Sequence, residues 1–201
     1  METIELRDQP TPLHARVTVS AAPYRGHIFD VLVDDIVLET TGATMRREYM
    51  KHDDAVAVVA LRPGVTGEEI LLIRQYRHPV RAMMWEIPAG LLDVEGEDPG
   101  TAARRELAEE TDLVAQTWEP LVQFLTSPGC SDEGIHVFLA RELQPTEQRF
   151  AREDEEAEIE THWFPLGDVV QAVLSGRLRC PTLVAGVLAY CAKRGVTQRE
   201  G

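Results

Sequence analysis

A helix predicted in the middle of the chain, between two groups of strand-like segments, constrains the fold most. It begins near Asp98, whose side chain can cap the first turn, and Pro99 suits the first helical position. Apolar and β-branched patterns predict strands at residues 13–20, 27–38, 55–61, 69–75, 119–125 and 135–140, with a turn at 21–26. Helical segments follow at about residues 166–174 and 182–193. This order predicts an α/β sandwich.

The charges along the central helix run against the helix dipole. Acids favour the first turn of a helix and bases favour the last. Here Arg104 and Arg105 come early, whereas Glu106, Glu109 and Glu110 crowd the C-terminal half. At about 100° per residue, the three glutamates fall beside the apolar stripe of the helix. A divalent cation that prefers oxygen ligands would make this cluster favourable, and a solvated acidic face is the alternative interpretation.

The spacing of residues 90–113 resembles the signature of the Nudix family. That signature runs Gly, five residues, Glu, seven residues, Arg-Glu, an aliphatic residue, any residue, Glu-Glu, any residue, Gly and an aliphatic residue. The matching positions are Gly90, Glu97, Arg105, Glu106, Leu107, Glu109, Glu110 and Leu113. Two positions depart from it: six residues separate Gly90 from Glu97, and Asp112 replaces the closing glycine. Aspartate tolerates the left-handed conformation that ends such a helix.

The resemblance implies a Nudix fold, in which a mixed central sheet lies between helices. It also implies a small N-terminal antiparallel β subdomain at residues 1–50, which mediates dimerisation, and a catalytic domain at residues 51–201. Signature glutamates in that family bind Mg²⁺ or Mn²⁺, here two or three ions. The implied ligands are Glu106, Glu109, Glu110 and the backbone carbonyl of Ala89. Arg105 is implied to pair with Glu97.

Features outside the signature resemble the ADP-ribose pyrophosphatases of that family. Residues 73–90 read IRQYRHPVRAMMWEIPAG, and Pro128 lies 15 residues beyond Leu113 in a loop typical of the group. The resemblance covers about residues 10–195. It implies hydrolysis of the pyrophosphate bond of ADP-ribose to AMP and ribose 5-phosphate by a homodimer. The alternatives are hydrolysis of another nucleotide sugar or dinucleotide, or a Nudix module that binds ADP-ribose without cleaving it.

The same resemblance implies roles for residues outside the metal cluster. The substrate-binding candidates are Arg47, Arg77, Glu86, Glu133, Tyr24 and Phe29. The two arginines are implied to contact phosphate or ribose, and either aromatic side chain to stack on adenine. Glu86 is implied to bridge to a metal-bound water or to the terminal ribose, and the alternative is that it pairs with an arginine. Glu133 is implied to bind ribose hydroxyls, and the alternative is that it caps a turn. The acidic segment 153–160 is implied to carry the general base, at Glu155 or Glu156.

Composition narrows the class of protein further. A net charge of −14 argues against a nucleic-acid partner, because phosphate backbones need a basic surface. The apolar runs fall short of the ~20 residues that cross a bilayer, and the N-terminus lacks the pattern of a secretory signal. Three scattered cysteines indicate reduced thiols rather than a disulfide framework. We therefore expect a cytoplasmic protein without a membrane partner.

Overall fold

The computed structural model describes residues 6–147, 150 and 158–197 of the 201-residue chain. The chain divides into two compact units. Of the described residues, the first unit contains those up to His52 together with Ser127–Asp132, and the second contains Asp53–Thr126 and those from Glu133 onward. The predicted assignment of dimerisation and catalysis to residues 1–50 and 51–201 stays a prediction.

The first unit contains the predicted N-terminal antiparallel sheet, which is confirmed. Its strands are β1 (Ala15–Arg25), β2 (Phe29–Leu38) and β3 (Thr44–His52), in that spatial order. The prediction of a turn at residues 21–26 is wrong, because β1 continues to Arg25. An irregularity in the β1–β2 register between Ala21 and Tyr24 lets the strand pass through this proline-containing stretch.

The second unit is built on a mixed sheet. Its strands are β4 (Ala55–Pro63), β5 (Glu68–Arg77), β6 (Ala82–Glu86), β7 (Ala89–Leu91), β8 (Leu113–Leu125), β9 (Gly134–Pro145) and β10 (Glu160–Pro165). The order is β10-β5-β4-β9-β8, with β6 beside β5 and β7 beside β4. β4 and β9 are parallel, and the other pairings are antiparallel.

In the described residues, three helices cover the two faces of this sheet: α1 (Pro99–Thr111), α2 (Leu166–Leu174) and α3 (Pro181–Thr197). A 3₁₀ turn at His78–Val80 joins β5 to β6. Strand β4 is buried on both faces, as its continuous apolar run predicts. One set of its alternate residues packs with α2 and α3, and the other set packs with α1. The predicted α/β class, with a mixed sheet between helices, is confirmed. Within the described part of the chain, no helix has both the length and the apolar character needed to cross a membrane.

The ends of α1 follow the local chemistry that its sequence predicts. The Asp98 carboxylate accepts hydrogen bonds from the amides of Gly100 and Thr101 at 3.0 and 3.2 Å, and Pro99 is the first helical residue. Asp112 ends the helix with φ of 55°, the left-handed conformation that a glycine would otherwise supply. The aspartate at position 112 therefore ends the helix in the same way as the glycine of the family signature.

Helix α3 packs closely on the sheet at Gly186. A methyl group there would lie 2.9 Å from Cγ2 of Val59 on β4 and 3.3 Å from Cδ1 of Ile87. A methyl group at Gly195, in the same helix, would meet nothing within 4 Å. The two glycines therefore offer a matched comparison between close packing and helix propensity.

We expect Gly186→Ala to lower the free energy of unfolding by about 1 kcal/mol, because overpacking outweighs the gain in helix propensity. Gly195→Ala should instead raise it by about 0.5 kcal/mol. Urea denaturation of both variants measures the difference. Equal stabilisation by the two substitutions would show that α3 does not pack tightly at Gly186.

Candidate active site

The acidic half of α1 lies against β7 in the second unit. Glu106 and Glu110, one helical turn apart, are only 8% and 5% exposed, and Glu109 between them is half buried. Glutamate is almost never buried to this extent unless its charge is compensated. The acidic stripe beside the apolar face, expected from helical geometry, is therefore present.

A close approach of backbone to side chain brings β7 against both buried glutamates. A Cβ atom at Gly90 would lie 2.0 Å from Cδ of Glu106 and 2.2 and 2.3 Å from its two oxygens. A side chain at this position would displace the Glu106 carboxylate from the place that it occupies against the strand. The neighbouring amide of Ala89 donates to Oε2 of Glu110 at 2.9 Å.

Burial changes the protonation of Glu106. It raises the pKa of this carboxyl to about 7, against the lowering effect of Arg105, and the nearby charges of Glu109 and Asp93 add to the rise. Near neutral pH, Glu106 therefore holds a proton in part of the molecules. A metal ion can replace that proton, because carboxylate ligands bind in their ionised form.

Arg105, in the middle of α1, contacts several carboxylates. Its Nη1 donates to Oε1 of Glu106 at 2.5 Å and to Oε2 of Glu109 at 3.1 Å. Its Nη2 donates to Oε2 of Glu97 at 3.0 Å and lies 3.6 Å from Oδ1 of Asp93. The expected ion pair between Arg105 and Glu97 is present, although the loop before Glu97 is one residue longer than in the signature. These ion pairs raise the pKa of Arg105, with Glu97 the largest contributor.

The arrangement fits a hard divalent cation, although the side chains are not gathered into a preformed cage. In the described ranges, no three His, Cys, Asp or Glu side chains converge into a metal site. Arg105 contacts the carboxylates of Glu106 and Glu109, and the Ala89 amide binds that of Glu110. The oxygens of these residues suit Mg²⁺ or Mn²⁺. The Glu106 carboxylate packs closely against Gly90, which limits where it can move.

A second charged group lies on β5 and β6. Arg77 donates from Nε to Oε1 of Glu86 at 2.9 Å and from Nη2 to Oε2 at 2.7 Å. This is the bidentate geometry in which arginine binds carboxylates most strongly. The hydrogen bonds to Glu86 raise the pKa of Arg77 despite its partial burial, and Glu110 makes a smaller contribution. The ion pair between Glu86 and an arginine, which was the alternative expectation for Glu86, is therefore present in the structure.

Glu133, at the start of β9, closes a loop. Its Oε2 accepts a hydrogen bond from Oγ1 of Thr126 at 2.7 Å, and its carbonyl accepts one from the Thr126 amide at 3.1 Å. Asp54 ties the neighbouring backbone together, because its Oδ1 accepts from the Gly134 amide at 2.8 Å and its carbonyl accepts from the Leu92 amide at 2.8 Å. Sequence analysis did not identify Asp54, which follows another aspartate directly before β4.

The remaining substrate-binding candidates lie in the first unit. Arg47, on β3, donates from Nη1 to the carbonyl of Arg46 at 2.9 Å and is exposed. The rings of Tyr24 and Phe29 are tilted, with centroids 6.1 Å apart, and both are partly exposed. Phe29 also stacks on His52, with centroids 6.4 Å apart.

The candidates for the general base, Glu155 and Glu156, lie outside the described residues. The structure also shows a residue that sequence analysis missed: Gln75, buried on β5, whose Nε2 donates to Oε2 of Glu86 at 3.4 Å. The available signal was the two-residue spacing of Gln75 and Arg77, which places both side chains on one face of a strand.

The chain is similar in sequence to known proteins. A family model described as "NUDIX domain" matches residues 51–179. The chain is 40% identical over 169 residues to the ADP-ribose pyrophosphatase of Mycobacterium tuberculosis, covering 84% of this chain and 79% of that protein. It is 41% identical over 154 residues to the ADP-ribose pyrophosphatase of Bacillus subtilis, covering 76% of this chain and 79% of that protein.

A solved structure resembles the whole fold. The crystal structure of an ADP compounds hydrolase matches with a TM-score of 0.76 at 20% sequence identity, covering 93% of this chain and 96% of that chain. At this level of identity the likeness concerns the arrangement of helices and strands. It confirms the predicted fold class.

The raised pKa of Glu106 leads to a prediction for stability in metal-free buffer. Because the pKa of this carboxyl is higher in the folded state, the protein loses stability as the pH rises from the ordinary pKa of 4.5 through about 7. Glu106→Gln removes this loss, and we expect it to raise the free energy of unfolding at pH 8 by about 1–2 kcal/mol. The gain should shrink toward pH 5.

Urea denaturation in EDTA at pH 5, 6.5 and 8 measures this effect. Glu95→Gln, which makes the same charge change at an exposed loop residue, is the control and should show little dependence on pH. Saturating Mn²⁺ should reverse the order of wild type and Glu106→Gln, because a ligand that binds the folded state stabilises it. A gain at pH 8 that persists unchanged at pH 5 would contradict the role of burial.

Proposed function

Because this chain belongs to the Nudix family, we propose that it hydrolyses the pyrophosphate bond of ADP-ribose to AMP and ribose 5-phosphate. The observation that carries the proposal is the pair of buried carboxylates, Glu106 and Glu110, held against Gly90 and Ala89. Such a pair is unfavourable in a purely structural protein and favourable in one that binds cations. The two bacterial relatives named ADP-ribose pyrophosphatase support the choice of substrate.

Nudix hydrolases depend in general on divalent metal ions. We assign Mg²⁺ or Mn²⁺, as two or three ions, to Glu106, Glu109, Glu110 and the carbonyl of Ala89. When bound, such ions neutralise charge on a diphosphate and lower the pKa of a coordinated water. The chain itself contributes fixed positions: Gly90 seats Glu106, the Ala89 amide orients Glu110, and Arg105 restrains Glu106 and Glu109.

Arg77 is the second element of the proposed site. Its side chain is 42% exposed, whereas Glu86 beneath it is 5% exposed. Glu86 thereby anchors a guanidinium that reaches solvent, and the planar donor fork of arginine suits phosphate oxygens. In the proposal, Arg77 contacts the diphosphate, and Glu86 belongs to the site through Arg77. Arg47 and Glu133 are further candidates, for a phosphate and for ribose hydroxyls respectively.

The proposal extends to assembly and location. Two copies form a homodimer through residues 1–50, and Tyr24 or Phe29 stacks on the adenine ring. The partly exposed rings of these two residues are compatible with stacking on a base. The protein acts in the cytoplasm, on a small nucleotide substrate rather than on nucleic acid, in keeping with its net charge of −14.

An assay with a panel of diphosphates tests the function. With Mg²⁺ or Mn²⁺, we expect ADP-ribose to give AMP and ribose 5-phosphate, identified by chromatography. Glu106→Gln/Glu110→Gln should lower turnover by at least ~10²-fold and weaken Mn²⁺ binding, because both changes remove charged ligands.

The other outcomes of this assay separate the alternatives. Cleavage of a different nucleotide sugar or dinucleotide, with ADP-ribose inert, would contradict the proposed substrate but support pyrophosphate hydrolysis as the reaction. Tight binding of ADP-ribose without products would identify a binding module. Unchanged Mn²⁺ uptake and turnover in the double variant would overturn the metal centre itself.

Glu155 and Glu156 are proposed as alternatives for the general base. Glu155→Gln or Glu156→Gln should lower kcat by at least ~10²-fold, because a general base typically contributes 10²–10⁴-fold, and Mn²⁺ affinity should stay within about twofold. Single-turnover kinetics and Mn²⁺ titration of each variant provide the two measurements. Wild-type turnover in both variants would exclude this segment from the mechanism.

A further inference from the structure

Three side chains on β5 and β6 form a connected chain of hydrogen bonds. Gln75 donates from Nε2 to Oε2 of Glu86 in a long hydrogen bond of 3.4 Å, and Glu86 accepts shorter bonds from both Nε and Nη2 of Arg77, at 2.9 and 2.7 Å. Gln75 and Glu86 are 6% and 4% exposed, so water competes little for these bonds. The charge of a buried carboxylate is tolerated only where donors surround it. Gln75 is therefore part of what holds the Arg77–Glu86 pair.

The strand register explains why these three residues meet. β5 and β6 are antiparallel, with Ile73 opposite Glu86, Gln75 opposite Met84 and Arg77 opposite Ala82. Side chains of directly opposed residues lie on the same face of a sheet, and alternate residues of a strand share a face. Gln75 and Arg77 therefore lie on the face from which Glu86 projects.

Within the described part of the chain, the hydrogen bonds of Arg77 use Nε and Nη2, which leaves one edge of its guanidinium available. A guanidinium has a side edge, formed by Nε and Nη2, and an end edge, formed by Nη1 and Nη2. Glu86 takes the side edge, at 2.9 and 2.7 Å. An anion approaching from solvent therefore has the end edge, where two parallel N–H groups can bind two phosphate oxygens. The direction of that edge depends on where the Glu86 carboxylate is held.

We propose that Gln75 and Glu86 are positioning residues that orient the end edge of Arg77 toward the diphosphate of the substrate. Glu86 acts through Arg77, and Gln75 acts through Glu86. Both Glu86 oxygens already accept bonds, and the arginine–carboxylate pair has no net charge. Its contribution is therefore directional hydrogen bonding rather than long-range attraction. This inference rests on the proposed function, because it requires a diphosphate substrate.

Two substitutions test the inference, each measured on whichever diphosphate the wild-type protein cleaves. Gln75→Met keeps the length of the side chain and removes its donor, whereas Gln75→Asn keeps the amide but shortens its reach. We expect KM to rise about tenfold in both variants, because one hydrogen bond to a charged group is weakened. kcat and Mn²⁺ affinity should stay within about twofold, since binding is lost equally in ground and transition states.

A double-mutant cycle separates positioning from a merely structural role. In an Arg77→Lys background the end edge is absent, so Gln75→Met should raise KM by no more than about twofold further. Glu86→Gln should likewise raise KM about tenfold while leaving kcat and Mn²⁺ affinity near the wild-type values. Gln123→Met, at an exposed glutamine of β8, is the matched control and should behave as wild type.

Specific results would overturn the inference. It is wrong if both Gln75 variants keep the wild-type KM while thermal unfolding shows that they are folded. It is also wrong if Glu86→Gln lowers kcat and Mn²⁺ affinity together, which would place Glu86 at the metal, or if Gln75→Met raises KM equally in the Arg77→Lys background. If the wild-type protein cleaves no diphosphate in the panel, the result would instead contradict the proposed function.

Discussion

Burial of two acidic side chains beside one short strand is the constraint on which the site depends. Helix α1 packs on the sheet through Ala102, Ala103 and Leu107, and the same packing brings its glutamates down onto β7. β7 meets them with the smallest residue at the point of closest approach, Gly90, and with a backbone donor at Ala89. Helix packing and site geometry are thus one arrangement.

Much of this arrangement could be predicted because its signals are local. The cap at Asp98, the left-handed helix end at Asp112 and the apolar run of β4 depend on residues close in sequence, and each is present. The acidic stripe of α1 follows from the helical period alone. Its partners could be named only through the family resemblance, because the contact between Gly90 and Glu106 joins residues that are distant in sequence.

The rest could not be predicted, because tertiary pairing decides it. β8 runs from Leu113 to Leu125, far longer than residues 119–125, since pairing with β9 carries it past Pro120 by means of an irregular register. β7 has only three residues, too few for a periodic pattern, yet it reaches both buried glutamates. Gln75 shows its role only when β6 is placed beside β5, which puts Glu86 within reach.

The two arginines of the site are held by opposite arrangements of charge, and this separates their roles. Arg105 faces four carboxylates, so Glu106 and Glu109 can turn to another cation while Glu97 retains the guanidinium. Among the described residues, Arg77 forms a salt bridge with Glu86 alone, and release of Glu86 would leave the buried charge of this carboxylate unpaired, which is strongly destabilising. A divalent ion therefore competes readily for the acids of α1 and poorly for Glu86. In the function proposed above, metal binding at the acids of α1 leaves the Arg77–Glu86 pair in place, because the two tasks use different carboxylates.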